Sequence, residues 1–221
     1  MDGILPAAGQ SSRMRGLPKF LLPCDDNYVT LLEYHIGMMY ESCDVIWIPT
    51  RSEFVQLIES LNFPRDKVVI LPLTTRSMTE TVMNVLKISG SMSFLLEMPD
   101  TFYKGVKPVE ILNHSPVIAD LGLFPIRDEQ RGKLGQCQID ENQRVVKIID
   151  KDSNCDLPLA WGALTFAREL ISFMDIKQPH IGYSVAEAIR SGQIVTSTLC
   201  NSLYFDCGTP SEYLAMLREV F

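Results

Sequence analysis

The chain contains no apolar run approaching the ~20 residues that a membrane-spanning helix needs, so no membrane partner is expected. Its cysteines (Cys24, Cys43, Cys137, Cys155, Cys200 and Cys207) form no Cys-x-x-Cys pair. That argues against a zinc ribbon or a disulfide framework and for reduced thiols in the cytosol. No basic region precedes an apolar core at the N-terminus, so no secretory leader is expected and the cytoplasm is the expected compartment. His35, His114 and His180 show no metal spacing and accompany no Ser or Cys nucleophile element, so they read as structural or surface residues. Long basic stretches are missing too. With a net charge of −7 and a pI near 5.0, nucleic acid is not expected as a partner. Repeats, low-complexity tracts and a dividing linker are all absent, and 221 residues suit one α/β domain spanning 1–221.

Against these absences stands a regular alternation. Apolar runs at 3–6, 44–48, 68–71, 94–97, 117–121 and 159–166 read as strands. Helical patterns cover 30–41, 51–60, 78–88, 167–173, 184–192 and 211–220. Residues 136–140 and 143–149 read as a hairpin around Glu141-Asn142. The order predicts βαβ units and a mixed, mostly parallel sheet flanked by helices in three layers. Ser77-Met-Thr-Glu80 has capping-box spacing, and Pro210 suits the first position of the last helix.

The most informative segment lies at the start. After the first strand, Ala7-Ala8-Gly9 makes a small-residue turn whose backbone N–H groups can form a nest for anionic oxygens. Arg13, Arg15 and Lys19 follow, with Asp2 the only acid before residue 24. A basic island in an acidic chain points to a small anion. The loop is not a P-loop, since no Gly-Lys-Ser/Thr follows, and it lacks the second and third glycines of a dinucleotide fingerprint.

In order, Pro6-Ala7-Ala8-Gly9, Ser11, Arg13-Met14 and Pro18-Lys19 closely resemble the signature of nucleotidyltransferases that join a nucleoside triphosphate to a phosphorylated partner. Further matches extend over 3–217 and narrow the resemblance to the sugar-phosphate nucleotidyltransferases, the nucleoside-diphosphate-sugar pyrophosphorylases. Asp206-Cys-Gly-Thr-Pro210 matches an Asp-x-Gly-Thr-Pro element; Leu134-Gly135 and the run to Asp150-Lys151 resemble a sugar-facing hairpin; Ala160-Trp161-Gly162 resembles the strand that closes the sugar pocket.

The resemblance implies a Rossmann-like nucleotide-diphospho-sugar transferase fold and a direct, in-line reaction of a nucleoside triphosphate with a sugar 1-phosphate. It implies Arg13 and Lys19 as catalytic cations, and Mg2+ held by Asp100 and Asp206. It further implies nucleotide contacts from Ala7, Ala8, Gly9, Gln10, Ser11, Ser12, Ser77 and Thr79, and sugar contacts from Gly135, Asp150, Lys151 and Gly162. Asp100 follows an apolar run and so sits beyond a strand's carboxyl end, where open α/β sheets bind ligands. Asp206 also admits an Asx turn before Gly208, and Ser77 also admits a plain helix cap. The loop is similar as well to cytidylyl- and guanylyltransferases of molybdenum cofactor maturation and to alditol-phosphate cytidylyltransferases. A non-catalytic nucleotide-binding homologue is the remaining reading. Base, sugar and oligomeric state stay open.

Overall fold

The computed structural model describes residues 1–9, 14–152 and 154–221. A nine-stranded sheet organises the chain. Its main path runs β3 (Val68–Pro72), β2 (Val45–Thr50), β1 (Asp2–Ile4), β4 (Ser93–Glu97), β9 (Leu159–Ala167), β6 (Ala119–Pro125), β10 (Val195–Leu199). Every strand on this path runs in one direction except β9, which is antiparallel to both neighbours. A hairpin of β7 (Gly135–Ile139) and β8 (Val145–Asp150) joins through β7 to the lower part of β9.

Alternation along the central strands sends side chains to opposite faces. Leu95 packs with α1 (Leu31–Met39) through Ile36 and Met39. Phe94 and Leu96 pack on the other face with α3 (Met78–Ile88) and α5 (Ile181–Arg190) through Val82, Val85 and Val185. The result is three layers with the sheet in the middle. β9 is buried almost throughout, as expected of a strand covered on both faces.

Local signals mostly hold, with identifiable adjustments. Thr30 and Glu33 form a full capping box at α1. Ser77 caps α3 by accepting from the Glu80 N–H, but the Glu80 carboxylate turns to the Arg76 N–H, so the reciprocal half of the expected box is missing. The 167–173 pattern forms a 3-10 helix, Arg168–Phe173, not an α-helix. In the 51–60 pattern, a 3-10 turn at Ser52–Phe54 leads into the short α2 (Val55–Glu59).

Beyond the expected elements the fold has β5 (Thr101–Lys104), the short α4 (Pro108–Ile111), the edge strand β10, and β11 (Leu203–Asp206). β5 and β11 pair antiparallel as a separate ribbon. From this ribbon the chain enters α6 (Pro210–Val220), with Thr209 as N-cap and Pro210 in the first turn. Among the described residues no helix is long and apolar enough to cross a membrane.

Among the described residues two ion pairs fasten α6, the exposed Lys104–Glu219 pair and a buried one at Glu212. Glu212 is 4% exposed and accepts from Arg127 Nη2 at 2.9 Å. Removing the cation leaves a buried, uncompensated carboxylate, so Arg127→Ala should cost about 3 kcal/mol. The paired change Arg127→Met with Glu212→Leu should cost much less, because it strands no charge; urea unfolding of the two variants checks this.

Candidate active site

Two cavities meet at the carboxyl end of β1 and β4. One, of about 450 Å³, is lined by Ala7, Gly9, Lys19, Asp100, Asp150, Asp206 and others. The second, of about 880 Å³, is lined by Ala8, Gly9, Ser77 and the Thr74–Arg76 turn. Pro6, Gly9, Met78 and His180 belong to both walls.

The juxtaposition at the centre comes from the β5–β11 ribbon. Asp206 pairs in register with Thr101, and the Cys207 N–H donates to the Asp100 carbonyl at 2.9 Å. The carboxylates of Asp100 and Asp206 are therefore brought side by side although far apart in sequence. Lys19, on a 3-10 turn (Lys19–Leu21), donates to Asp100 Oδ2 at 2.5 Å. Burial, and then repulsion from Asp100, raise the Asp206 carboxyl to a pKa of about 6, while Lys19, Lys151 and the Gly208 N–H pull it down. The Gly208 N–H donates to Asp206 Oδ1 at 3.1 Å, so the Asx turn exists. It does not displace Asp206 from the cavity wall.

This donor set fits a divalent cation, because two adjacent carboxylates that repel one another are relieved by positive charge between them. Among the described residues no three His, Cys, Asp or Glu side chains converge. A metal here would rest on two carboxylates together with water or substrate oxygens, the usual pattern for magnesium.

Beneath the pair lies a second buried acid. Glu97 ends β4, is fully buried, and is raised to a pKa of about 8 by desolvation, against a lowering hydrogen bond from Tyr103. The Tyr103 hydroxyl is 2.5 Å from Glu97 Oε2 and 3.2 Å from the Gly162 carbonyl. A neutral Glu97 can donate to the Tyr103 oxygen while Tyr103 donates to Gly162, tying the floor of the cavity together. His35 is structural, as expected: its Nε2 donates to the Thr101 carbonyl at 2.8 Å, and burial lowers its pKa to about 4, so it is neutral.

The remaining site expectations divide. Gly9, Lys151, Gly135 and Gly162 line the first cavity, and Ala8 and Ser77 the second. Ala7 lines the first, but its N–H is committed to the Pro49 carbonyl at 2.9 Å, so a nest can start no earlier than Ala8. Gln10, Ser11, Ser12 and Arg13 lie outside the described residues. Thr79 corrects the expectation: it sits on the inner face of α3, is fully buried, and belongs to neither wall. Ser77 precedes the helix and stays at the surface of the cavity; two residues on, the helical turn has carried Thr79 into the core.

Asp150 is present but withdrawn. Its Oδ1 accepts from Trp161 Nε1 at 3.0 Å, and its Oδ2 is buried without a hydrogen-bond partner among the described residues. Burial raises its pKa; the Gly182 amide is near enough to favour the anion without meeting hydrogen-bond geometry. A Cβ on Gly135 would lie 1.9 Å from Oδ1, and one on Gly182 2.2 Å from Oδ2. The carboxylate thus fills the spaces that two glycines leave open while still forming part of the cavity wall.

Two wall residues carried no functional signal in the sequence. Lys133 precedes the hairpin glycine, and His180 is the N-cap residue of α5. His180 was expected to be structural or surface; it forms part of both walls. Its segment is fixed by the Met78 N–H donating to the Pro179 carbonyl at 3.1 Å.

No protein-family model matches the sequence, and no curated protein matches it. Solved structures do. An inositol-1-phosphate CTP transferase from T. maritima superposes with a TM-score of 0.79 at 16% identity, over 99% of this chain and 95% of that one. A UTP-bound UGPase from Acinetobacter baumannii gives 0.76 at 16%, over 99% and 92%. A UDP-glucose pyrophosphorylase complexed with UDP-glucose gives 0.77 at 13%, over 99% and 97%. At these identities the likeness shows the fold: the chain shares the mixed α/β architecture of these structures, as the sequence implied.

The raised Asp206 pKa has a sign that can be checked. Folding stability from a neutral Asp206 is fully present below the unfolded value near 4 and is lost as pH rises through about 6. Asp206→Asn should remove that loss, so the difference in melting temperature between variant and wild type should grow in the variant's favour from pH 4 to pH 7. A pH-independent difference would mean that Asp206 is not an ionising buried carboxyl.

Proposed function

We propose that the chain is a nucleotidyltransferase that joins a nucleoside triphosphate to a sugar 1-phosphate or a closely similar phosphate ester, releasing pyrophosphate. The observation that carries this reading is the meeting of Lys19, Asp100 and Asp206 in one cavity beside the Ala8-Gly9 turn. The neighbours in fold, an inositol-1-phosphate CTP transferase and a UTP-bound UGPase among them, support the same reaction class.

The triphosphate lies along the Ala8-Gly9 turn, its base in the second cavity near Ser77. The Ser77 hydroxyl accepts from the Glu80 N–H at 3.1 Å and keeps its own proton to donate. Lys19 neutralises charge at the α-phosphate, and Arg13 the leaving pyrophosphate. An oxygen of the acceptor's phosphate attacks the α-phosphorus in line; the bond to the bridging oxygen breaks, and pyrophosphate departs with its electrons. No protein nucleophile is needed, which agrees with inert thiols: Cys24, Cys43 and Cys200 are pushed up to about 12 by burial. Asp100 and Asp206 hold a magnesium ion, which when bound supplies charge neutralisation to the phosphate oxygens. Six buried, unpaired cysteines suit a reducing compartment, and we place the reaction in the cytoplasm.

Lys19→Ala should lower turnover by about 10²–10³-fold, since a preorganised charge is lost where negative charge gathers. Pyrophosphate release from each of ATP, CTP, GTP, UTP and dTTP with a panel of sugar 1-phosphates measures it. Near-normal rates in the variant would remove Lys19 from the mechanism. Triphosphate binding without turnover on any acceptor would favour a nucleotide sensor instead.

A further inference from the structure

The Tyr103 hydroxyl has two close oxygen neighbours and one proton. It lies 2.5 Å from Glu97 Oε2 and 3.2 Å from the Gly162 carbonyl. A carbonyl only accepts, so both contacts are hydrogen bonds when Glu97 is the neutral acid, donating to the phenol oxygen while the phenol donates to Gly162. The second oxygen of the acid agrees with that state. Glu97 Oε1 is buried without a hydrogen-bond partner among the described residues, which costs far less for the C=O of an acid than for a carboxylate.

The accepting carbonyl belongs to an irregular point of the sheet. Along β9 the register with β6 jumps from Ala163 opposite Gly122 to Trp161 opposite Leu123, which leaves Gly162 as the extra residue of a β-bulge. Trp161 and Gly162 both line the first cavity. A Cβ on Gly162 would lie 2.8 Å from the Tyr204 ring and 2.9 Å from the Phe124 ring, so only glycine fits. The same two rings stack on Tyr103, with centroids 5.6 and 5.4 Å from its own. The phenol ring is clamped, and its proton alone is left to turn.

We propose that Glu97 is a positioning residue: its proton aims the Tyr103 hydroxyl at the Gly162 carbonyl and so fixes the bulge that shapes the cavity wall against the acceptor. This rests on the nucleotidyltransferase reading, in which the first cavity takes the acceptor. When Glu97 ionises, its proton passes to solvent and the Tyr103 proton turns to the carboxylate, because charge-assisted bonds are the stronger. Gly162 then loses its donor and the wall loosens.

The groups that face Glu97 do not titrate in the neutral range. Tyr34 and Cys43 from α1 and its exit, Tyr103 from β5, Cys200 after β10 and Tyr204 from β11 are all pushed up by burial, the two thiols to about 12. His35, whose ring meets Tyr103 edge-on, is lowered to about 4. Asp206, which bears on Tyr204, titrates near 6. Burial raises Glu97 itself to about 8, so its step falls between pH 7 and 9.

The test measures pyrophosphate release from pH 7 to 9 with magnesium and whichever triphosphate and sugar 1-phosphate are turned over. In the native protein the KM for the sugar phosphate should rise about three- to tenfold, the scale of one lost hydrogen bond, while the KM for the triphosphate holds. Glu97→Gln, whose amide donates at every pH, should keep the pH 7 value throughout. Tyr103→Phe should show the raised KM already at pH 7 and no step. A flat native profile, or a step that survives in Glu97→Gln, overturns the proposal and leaves the reaction class intact. Should Glu97→Gln fold poorly, a step that survives in Tyr103→Phe overturns it equally. Failure of every acceptor and triphosphate to release pyrophosphate sinks the reaction class instead. Emission from Trp161 in a Trp47→Phe background, these being the two tryptophans of the chain, then reads the wall without substrate. A change near pH 8 that disappears in Glu97→Gln supports the positioning role, and a flat titration overturns it.

Discussion

The antiparallel pairing of β5 with β11 is the constraint on which the site depends. Only that register sets Asp206 opposite Thr101 and hangs Cys207 from the Asp100 carbonyl. Nearby apolar burial holds the ribbon down: Tyr103 and Tyr204 stack on each other and on Phe124 beneath it. The ribbon must hold two like charges together against their repulsion, and the Asp206 pKa is raised first by burial and then by that repulsion. His35 steadies the same corner from α1 through the Thr101 carbonyl, with a neutral ring suited to a dry position.

Three carboxyl groups around one cavity show how differently burial can be answered. Glu97 is deep enough to stay neutral near pH 7 and works as a hydrogen-bonding floor. Asp206 is buried but looks towards Lys19 and Lys151, so it ionises near pH 6 and is open to a cation. Asp150 is buried beside an indole N–H and two glycine backbones, with burial raising its pKa and one carboxylate oxygen left without a hydrogen bond among the described residues. Only Asp206 and Asp100 of the acids named here face outward with charge to offer.

Much of this was legible in the residues. Period and punctuation located the βαβ order, and the small-residue turn with its cations pointed to a phosphate site. What stayed hidden was non-local. β5 and β11 are four-residue strands whose partners lie about a hundred residues away in the chain, so no periodicity announces them. Thr79 looked available because spacing from a cap does not say which face of the helix follows. Asp150 does line the cavity, but the sequence does not reveal that Gly135 and Gly182 open a slot for its oxygens. His180 and Lys133 gave no motif; they matter because loops at the carboxyl edge of the sheet converge there.

The contact between the Met78 amide and the Pro179 carbonyl has a further consequence. It stitches the start of α3, which frames the second cavity, to the segment that leads into α5, whose Gly182 abuts Asp150 in the wall of the first. The two chambers share a party wall, so under the proposed reaction a substitution that reshapes one chamber would be felt in the other.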